Sequence, residues 1–305
     1  YEDATDAAMD QSVAKDYGRS INERWGDHTR RVSYTSEDGS YTETGEVDIN
    51  TWQAWEHNGS PWVGYTSEEG AVYYYNKETE WGNEVVVSYK WHDLPPGSGL
   101  LDLELGRESE LTHYDWITDT TVHDGSAWAY MKNSKYKTTT DLVHYLIDNV
   151  SKNGYMLLNI GPKPDGTIPE EDKSLLEGIG NWLDVNGEAI FETETWDQYG
   201  EGPTKMNEAG PFSDNRAKLI YTAKDFRFTT KDNFLYATAL GWPSKDFTIE
   251  SIYKLFDNEI EMVELLGSTD KVEWKHTRDG LHITRPDNKP CEHAYSFKIT
   301  RKEYL

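Results

Sequence analysis

Residues 152–192, KNGYMLLNIGPKPDGTIPEEDKSLLEGIGNWLDVNGEAIFE, limit what this chain can fold into more than any other stretch. The short apolar run 155–160 ends at Gly161, Pro162, Pro164 and Gly166, which reads as a buried strand stopped by a turn. A helix then starts. Pro169 suits its first position because proline lacks the N–H that would go unpaired there, and Glu170, Glu171 and Asp172 favour the positive end of the helix dipole. Leu175, Ile179, Trp182 and Leu183 follow at helical spacing, and Asn186 with Gly187 predicts a left-handed cap. Upstream, Thr140 can cap a helix whose apolar face is Leu142, Val143, Leu146, Ile147 and Val150, with Gly154 ending it. The order is helix, strand, helix.

The same residues carry a family resemblance. VSKNGYMLLNIGPKPDGTIP, with NWLDVNGEAIFET behind it, resembles the last strand and helix of the catalytic barrel in retaining α-L-fucosidases, glycoside hydrolase family 29. The likeness continues to the C-terminus and becomes irregular towards the N-terminus. What it implies is an α/β plus all-β protein, an incomplete (β/α) barrel over residues 1–200 followed by an antiparallel β-sandwich over 201–305. Only four or five strands precede Gly161, whereas a complete barrel takes about 250 residues.

Composition narrows the partners. The chain has 305 residues, 55 acidic against 30 basic, for a formal charge of −25, so it repels phosphate backbones and anionic membranes. Nucleic acid is a poor candidate partner; a neutral ligand or life in high salt fits better, and solubility is the plain reading of the charge. Mean hydropathy is a polar −0.81, but 12 Trp and 20 Tyr supply large apolar surfaces and argue against disorder. The single cysteine, Cys291, rules out an internal disulfide and any multi-cysteine metal site, and reads as a quiet core thiol. No apolar run approaches the ~20 residues that span a bilayer, and no signal peptide opens the chain. Starting at Tyr1, the sequence is expected to be a mature form or a fragment. Asn58 and Asn149 head glycosylation triplets that also arise by chance, the second on a predicted helix.

Taken in order, residues 1–20 read as a helix with Ala7, Ala8, Val13, Ala14 and Tyr17 on one face, ended by Gly18. SINERWGD, 20–27, resembles the family's Asn-Asp-Arg-Trp-Gly element, in which the arginine reaches the sugar. That places Arg24 and Trp25 at the substrate, with Glu23 in the usual aspartate position; a surface ion pair is the plain alternative. After a polar loop at 35–45, TWQAWEHNGSPWVGYTSEE, 51–69, resembles the family's Trp-Glu segment, whose glutamate is the acid/base in some members; that is Glu56 here. Trp52, Trp55 and Trp62 around it would disfavour the charged form and keep the carboxyl protonated near neutrality, although with 55 acidic residues surface charge is the ordinary fate of any one.

From Ala71 the pattern begins again. AVYYYNKETEWGNEVVVSYKWHD, with a strand at 84–89, then SGLLDLELGRESEL and HYDWITDTTVHDGSAWAY through Tyr130, resemble another branch of the family. Glu104 lies just past the strand 100–103, where barrel enzymes place catalytic groups, and is the rival acid/base. Trp128 and Tyr130 stand in SAWAY, which resembles the family's Ser-Trp-Gly-Tyr, and would line the sugar pocket. Portions 20–69 and 85–130 therefore both resemble one region, a repeated or composite stretch within 20–130. Retention needs two carboxylates about 5–5.5 Å apart. The family's nucleophile, an aspartate one βα unit before the Asn-Asp-Arg-Trp element, falls at or before Tyr1 for one copy and near Glu56 for the other, so the nucleophile is unassigned. Asp3, Asp6, Asp10 and Asp16 lack the strand context.

Beyond a Gly-punctuated linker at 195–203 the period changes from helical to alternating. Strands are expected at 219–221, 225–229, 234–240, 247–253, 261–266, 272–276, 281–284 and 294–300, forming the sandwich. Trp242 or Trp274 could serve a carbohydrate there, with structural support of the barrel the stronger expectation. The resemblance implies an exo-acting retaining α-L-fucosidase that takes a fucosylated glycan or small fucoside, with Glu56 ahead of Glu104 as acid/base, no metal or organic cofactor, and a secreted or periplasmic setting. The alternatives are a non-catalytic carbohydrate-binding or structural fragment, and a hydrolase of a related glycoside.

Overall fold

The computed structural model describes residues 81–82, 86–90, 99–125, 127–215 and 219–302, together with the backbone of four strands within 29–64. The chain divides into two compact units, residues 1–101 and 102–305, each described by itself. The expected helix at 1–20 lies outside the described residues.

In the first unit, β1 (Thr29–Thr35) pairs antiparallel with β2 (Thr42–Asp48) from Thr29↔Asp48 to Thr35↔Thr42. The polar stretch 35–45 is thus partly strand. Its alternating threonines favour extended backbone although they are polar, so polarity alone misread it. A second hairpin joins β3 (Gln53–His57) to β4 (Ser60–Gly64), with Trp55↔Trp62 and Glu56↔Pro61 in register. The expected strand 84–89 is described only as β5 (Ser88–Tyr89), parallel to β6 (Leu100–Asp102).

The second unit begins with a β-α-β-α succession. β7 (Trp116–Thr121) and β8 (Gly154–Asn159) run parallel, with Asp119↔Leu157 and Thr121↔Asn159 in register, and the helix α1 (Thr139–Ser151) connects them. Its cap is Thr138, not Thr140. Thr138 is extended (φ −86°, ψ 159°) and forms a reciprocal capping box with Asp141, whereas Thr140 is already helical and its hydroxyl pairs with His293 Nδ1 at 2.8 Å. The chain leaves α1 through Asn153 in the left-handed region (φ 72°), which frees Gly154 to open β8. A Cβ at Gly154 would stand 2.3 Å from Trp116 Cζ2.

α2 (Glu170–Asn186) starts one residue later than expected, with Pro169 as the cap. It does not end in a left-handed residue either: Gly187 stays right-handed (φ −58°) and continues into a 3-10 turn, Gly187–Ala189. Leu142, Val143 and Ile147 of α1 pack with Leu175, Ile179 and Trp182 of α2 in one buried cluster. β8 is not uniformly buried. Leu158 and Ile160 pack against that cluster, while Tyr155 and Leu157 are 53% and 58% exposed, the alternation a pleated strand imposes.

The remaining strands form an antiparallel sandwich. β9 (Glu194–Glu201), β10 (Phe226–Lys231), β11 (Phe234–Ala239), β13 (Ile260–Leu265) and β16 (Tyr295–Arg301) make one sheet in the order β13-β16-β11-β10-β9, and β12 (Phe247–Ile249), β14 (Trp274–Thr277) and β15 (Gly280–Ile283) make the other in the order β12-β15-β14. Phe226, Phe228, Ala237, Ile249, Val263, Leu281 and Phe297 fill the space between them. The stretch read as a linker at 195–203 is largely β9, because its alternating Trp196, Gln198 and Gly200 can flank β10 despite the glycines. Residues 219–221 are not a strand, and the run expected at 247–253 stops at Ile249. Trp242 packs edge-on against Tyr295 with centroids 4.7 Å apart, and Trp274 packs against the core cluster, so both serve the sandwich interior.

One buried charge cluster joins the helical layer to the sandwich. Asp148, in the last turn of α1 and fully buried, lies 2.9 Å from Lys152 Nζ, 2.6 Å from Arg227 Nε on β10 and 3.4 Å from Arg107 Nη1. Burial works to raise the Asp148 carboxyl, but Lys152, Arg227 and Arg107 outweigh it and hold the group well below the usual carboxylate range. Trp182 Nε1 adds a hydrogen bond to the Ala294 carbonyl at 2.9 Å. Asn149 is fully buried in α1, so its triplet offers no surface for a glycan.

Candidate functional site

The sheet edge at the carboxyl ends of the parallel strands carries the candidate residues of the second unit. Leu103 N donates to Ile117 O at 2.8 Å and Leu105 N to Asp119 O at 2.9 Å, so the segment after β6 runs beside β7 with parallel pairing. That register sets Leu103 level with Thr118 and Glu104 level with Asp119. Thr118 faces α1, where its hydroxyl lies 3.0 Å from Tyr145 OH. Glu104 and Asp119 therefore point to the opposite face, in a row with Leu157 of β8. Neighbouring strands are about 4.7–4.9 Å apart, so the row brings two carboxyl-bearing residues to adjacent positions.

Glu104 occupies a tight turn. Gly106 N donates back to Leu103 O at 2.9 Å, and Leu105, 1% exposed, is held at φ 47°, a conformation costly for a leucine. A distant loop clamps it: Phe212 N donates to the Glu104 carbonyl at 2.7 Å, Asp214 N to Leu105 O at 3.0 Å, and Ser213 Oγ accepts from Arg107 N at 3.1 Å. Such fixed, strained turns recur where a side chain must be aimed.

The loop after β7 folds back over the ends of β7 and β8. Thr121 Oγ1 donates to Ala127 O at 2.9 Å, and Asn159 Nδ2 donates to the Trp128 carbonyl at 2.8 Å, which fixes the half-buried Trp128 and Tyr130 at this edge. Gly161 lies under the same segment, where a Cβ would meet Tyr130 N at 2.9 Å and His123 Nε2 at 3.1 Å. His123 is fully buried, with Nδ1 2.9 Å from Ser134 Oγ and its ring 4.8 Å from that of Tyr136. Asp172, in the first turn of α2, is more than a favourable dipole charge: it is fully buried and accepts from Gly161 N at 2.9 Å. Burial and then the hydrogen bond to Asp172 push the Tyr136 phenol up to about 12. Lys137 supports the strand end through Thr121 O at 2.6 Å and Thr120 Oγ1 at 3.1 Å.

Of the residues singled out in the sequence, Glu104, Trp128 and Tyr130 thus stand at one sheet edge. Glu56 is placed on β3 opposite Pro61, and its side chain, like Arg24 and Trp25, lies outside the described residues. Asp119, His123 and Asn159 were not singled out. The run Trp116-Ile117-Thr118-Asp119, within the stretch that resembles the family, contained the signal for Asp119, which needed the strand register to become legible.

Comparison with known proteins follows the same division. The profile of the family described as alpha-L-fucosidase matches residues 38–188, and that of the alpha-L-fucosidase C-terminal domain matches 218–300. A tissue alpha-L-fucosidase of Rattus norvegicus is 28% identical over 258 residues, covering 81% of this chain and 50% of the relative. A plasma alpha-L-fucosidase of Pongo abelii is 31% identical over 198 residues, covering 62% of this chain and 38% of the relative. The crystal structure of Thermotoga maritima alpha-fucosidase in complex with fucose superposes with a TM-score of 0.56 at 26% identity, over 78% of this chain and 50% of that one. The chain spans about half the length, or less, of the curated relatives it matches. The two profiles in sequence order, a partial barrel followed by a sandwich, mean that this chain belongs to the α-L-fucosidase family, glycoside hydrolase family 29.

Proposed function

We propose that this chain carries the later barrel strands and the sandwich of an exo-acting, retaining α-L-fucosidase that releases terminal α-L-fucosyl residues from glycans. The observation that carries the reading is the alignment of Glu104 with Asp119 at the carboxyl edge of the parallel strands, beside a loop presenting Trp128 and Tyr130. Glu104, rather than Glu56, is our acid/base. Its proton passes to the glycosidic oxygen as the C–O bond breaks; a carboxylate takes the anomeric carbon, and Glu104 then removes a proton from the water that displaces that carboxylate.

Retention asks for a partner carboxylate about 5–5.5 Å away, and Asp119 is the residue we put forward. It lies downstream of where the family resemblance seeks the nucleophile, so it is the sharper part of the proposal. Trp128 and Tyr130 would pack on the methyl-bearing edge of fucose. The boundary read at 200 falls inside β9, so the barrel part is put before Glu194 and the sandwich from Glu194 onward. A secreted or periplasmic setting is supported by the plasma relatives and by the acidic composition; among the described residues no helix is long and apolar enough to cross a membrane.

Hydrolysis of a chromogenic α-L-fucoside between pH 4 and 8 tests this. Glu104→Gln should lower kcat by about 10²–10⁴-fold, the scale of general acid–base catalysis, and Asp119→Asn by at least as much. An active wild type with an equally active Glu104→Gln variant would refute the assignment. A second reading, a non-catalytic carbohydrate-binding or structural member of the family, rests on the nucleophile that the sequence motifs leave unassigned. It predicts no release above background from the wild type.

A further inference from the structure

The sandwich holds an open groove of about 550 Å³ between the β9 edge, the β10–β11 turn, the segment after β12 and the end of β16. That volume falls within the range of about 300–1,000 Å³ usual for small-molecule sites. Its walls are aromatic. Trp196 is fixed by an edge-to-face contact with Phe228 at 5.1 Å, and Tyr253 and Phe256 are 49% and 47% exposed. Large rings left half in water next to a cavity mark a surface with a partner to cover it.

The other wall residues are hydrogen-bonding. Gln198 is exposed at the rim, and the Asn233 amide is oriented by its bond to the Arg301 carbonyl at 3.3 Å. His276, its side chain 8% exposed, lies at the groove with Nε2 making no hydrogen bond in the protein and standing 3.9 Å from Glu259 Oε2. A buried nitrogen left unmatched costs about 1–3 kcal/mol, and a ligand hydroxyl could relieve that cost. Charge excludes the common anionic ligands: Asp197, Asp232 and Glu259 outnumber Arg301 and Lys302 at the groove, in a chain of formal charge −25.

Flat aromatic faces, planar amide and imidazole groups, and no cationic excess suit one ligand class, a neutral saccharide, whose rings offer an apolar C–H face bordered by hydroxyls. We infer that the groove lined by Trp196, Tyr253 and Phe256 is a saccharide-binding site separate from the hydrolytic edge, one that holds a neutral glycan chain on the sandwich. The choice of a glycan over other neutral ligands rests on the proposed fucosidase reading. A second foothold would raise the residence of a branched or surface-displayed substrate without altering the chemistry, since a linked site adds avidity through local concentration.

The test uses the full chain, titrated with L-fucose, D-galactose and lactose by calorimetry and by tryptophan fluorescence. The Tyr253→Ala/Phe256→Ala variant removes two exposed rings; Tyr253→Ala alone serves if the double variant melts early. The expected result is at least a tenfold loss of saccharide affinity, an unchanged rate on a small chromogenic fucoside, and a slower rate on an immobilised fucosylated glycan. Wild-type affinity in the variant, or no saccharide binding by the wild type, overturns the site. So does a wild-type dimer that the variant separates, because the rings then cover a second copy of the chain. Saccharide binding that the variant loses, in a wild type without hydrolysis, upholds the groove while sinking the fucosidase reading.

Discussion

The Asp148 carboxylate in the last turn of α1 lies 2.6 Å from Arg227 Nε on β10, both side chains buried, and this contact ties the helical layer to the sandwich. Lys152 and Arg107 complete the charge set, and Asp214 takes Arg107 Nε at 3.2 Å. Arg107 also lies over the Tyr145 ring at 4.2 Å. Removing the one carboxylate that all three cations share leaves Lys152 and Arg227 buried without a carboxylate and Arg107 with Asp214 alone. Asp148→Asn should therefore cost about 3–5 kcal/mol of stability, as for other broken buried pairs, read as a lower urea midpoint. A loss under 1 kcal/mol would mean that water reaches the cluster.

The same group sets a pH dependence. Its folded-state pKa is depressed, so its contribution is fully present above the unfolded carboxyl value near about 4 and is lost as pH falls through and below it. Urea midpoints measured from pH 7 down to pH 3 should fall for the wild type, with a shallower fall for Asp148→Asn. Parallel curves for the two proteins would assign the acid sensitivity elsewhere.

Gly154 and Trp116 are mutually exclusive with any larger residue at 154. A Cβ there would sit 2.3 Å from Cζ2 of an indole that is fully buried and donates Nε1–H to Lys152 O at 3.1 Å. Gly154→Ala should destabilise by about 1–3 kcal/mol through overpacking and shift the Trp116 emission to the red. An unchanged melting temperature would show that the indole can move aside.

Gly161 separates stability from activity. Gly161→Ala pushes on Tyr130 N and His123 Nε2 at 2.9 and 3.1 Å and so displaces the loop bearing Trp128. The proposed activity should drop by about 10²-fold in kcat/KM, the cost of a misplacement near 1 Å. The melting temperature should move by only a few degrees. Trp128→Ala should mainly raise KM. Equal kcat/KM for Gly161→Ala and wild type would remove this loop from the site.

Much of the second unit was legible in the sequence because its signals are local. The apolar faces of α1 and α2 follow from spacing alone, and the alternation after residue 225 marks the sandwich. Caps were misplaced by one or two residues, since Thr138 and Thr140 are chemically alike and only backbone geometry separates them. β9 was missed because Gly200 and Gly202 resemble linker punctuation, although Gly200 is there because a Cβ would meet the Phe226 carbonyl oxygen at 2.3 Å. Asp119 and Asp148 were illegible for a different reason. One gains meaning from strand register and the other from cations brought in from residues 107 and 227, and neither relationship leaves a trace in neighbouring sequence.

The strained Leu105 turn has a consequence for how the chain can be divided. Its orientation depends on the loop at 210–214, which reaches it only after the whole helical layer has been built. A truncation before that loop could keep every residue of the β7–α2 succession and yet leave Glu104 on a slack hinge. In this architecture the sandwich side of the molecule is thus part of what orients Glu104, the proposed acid.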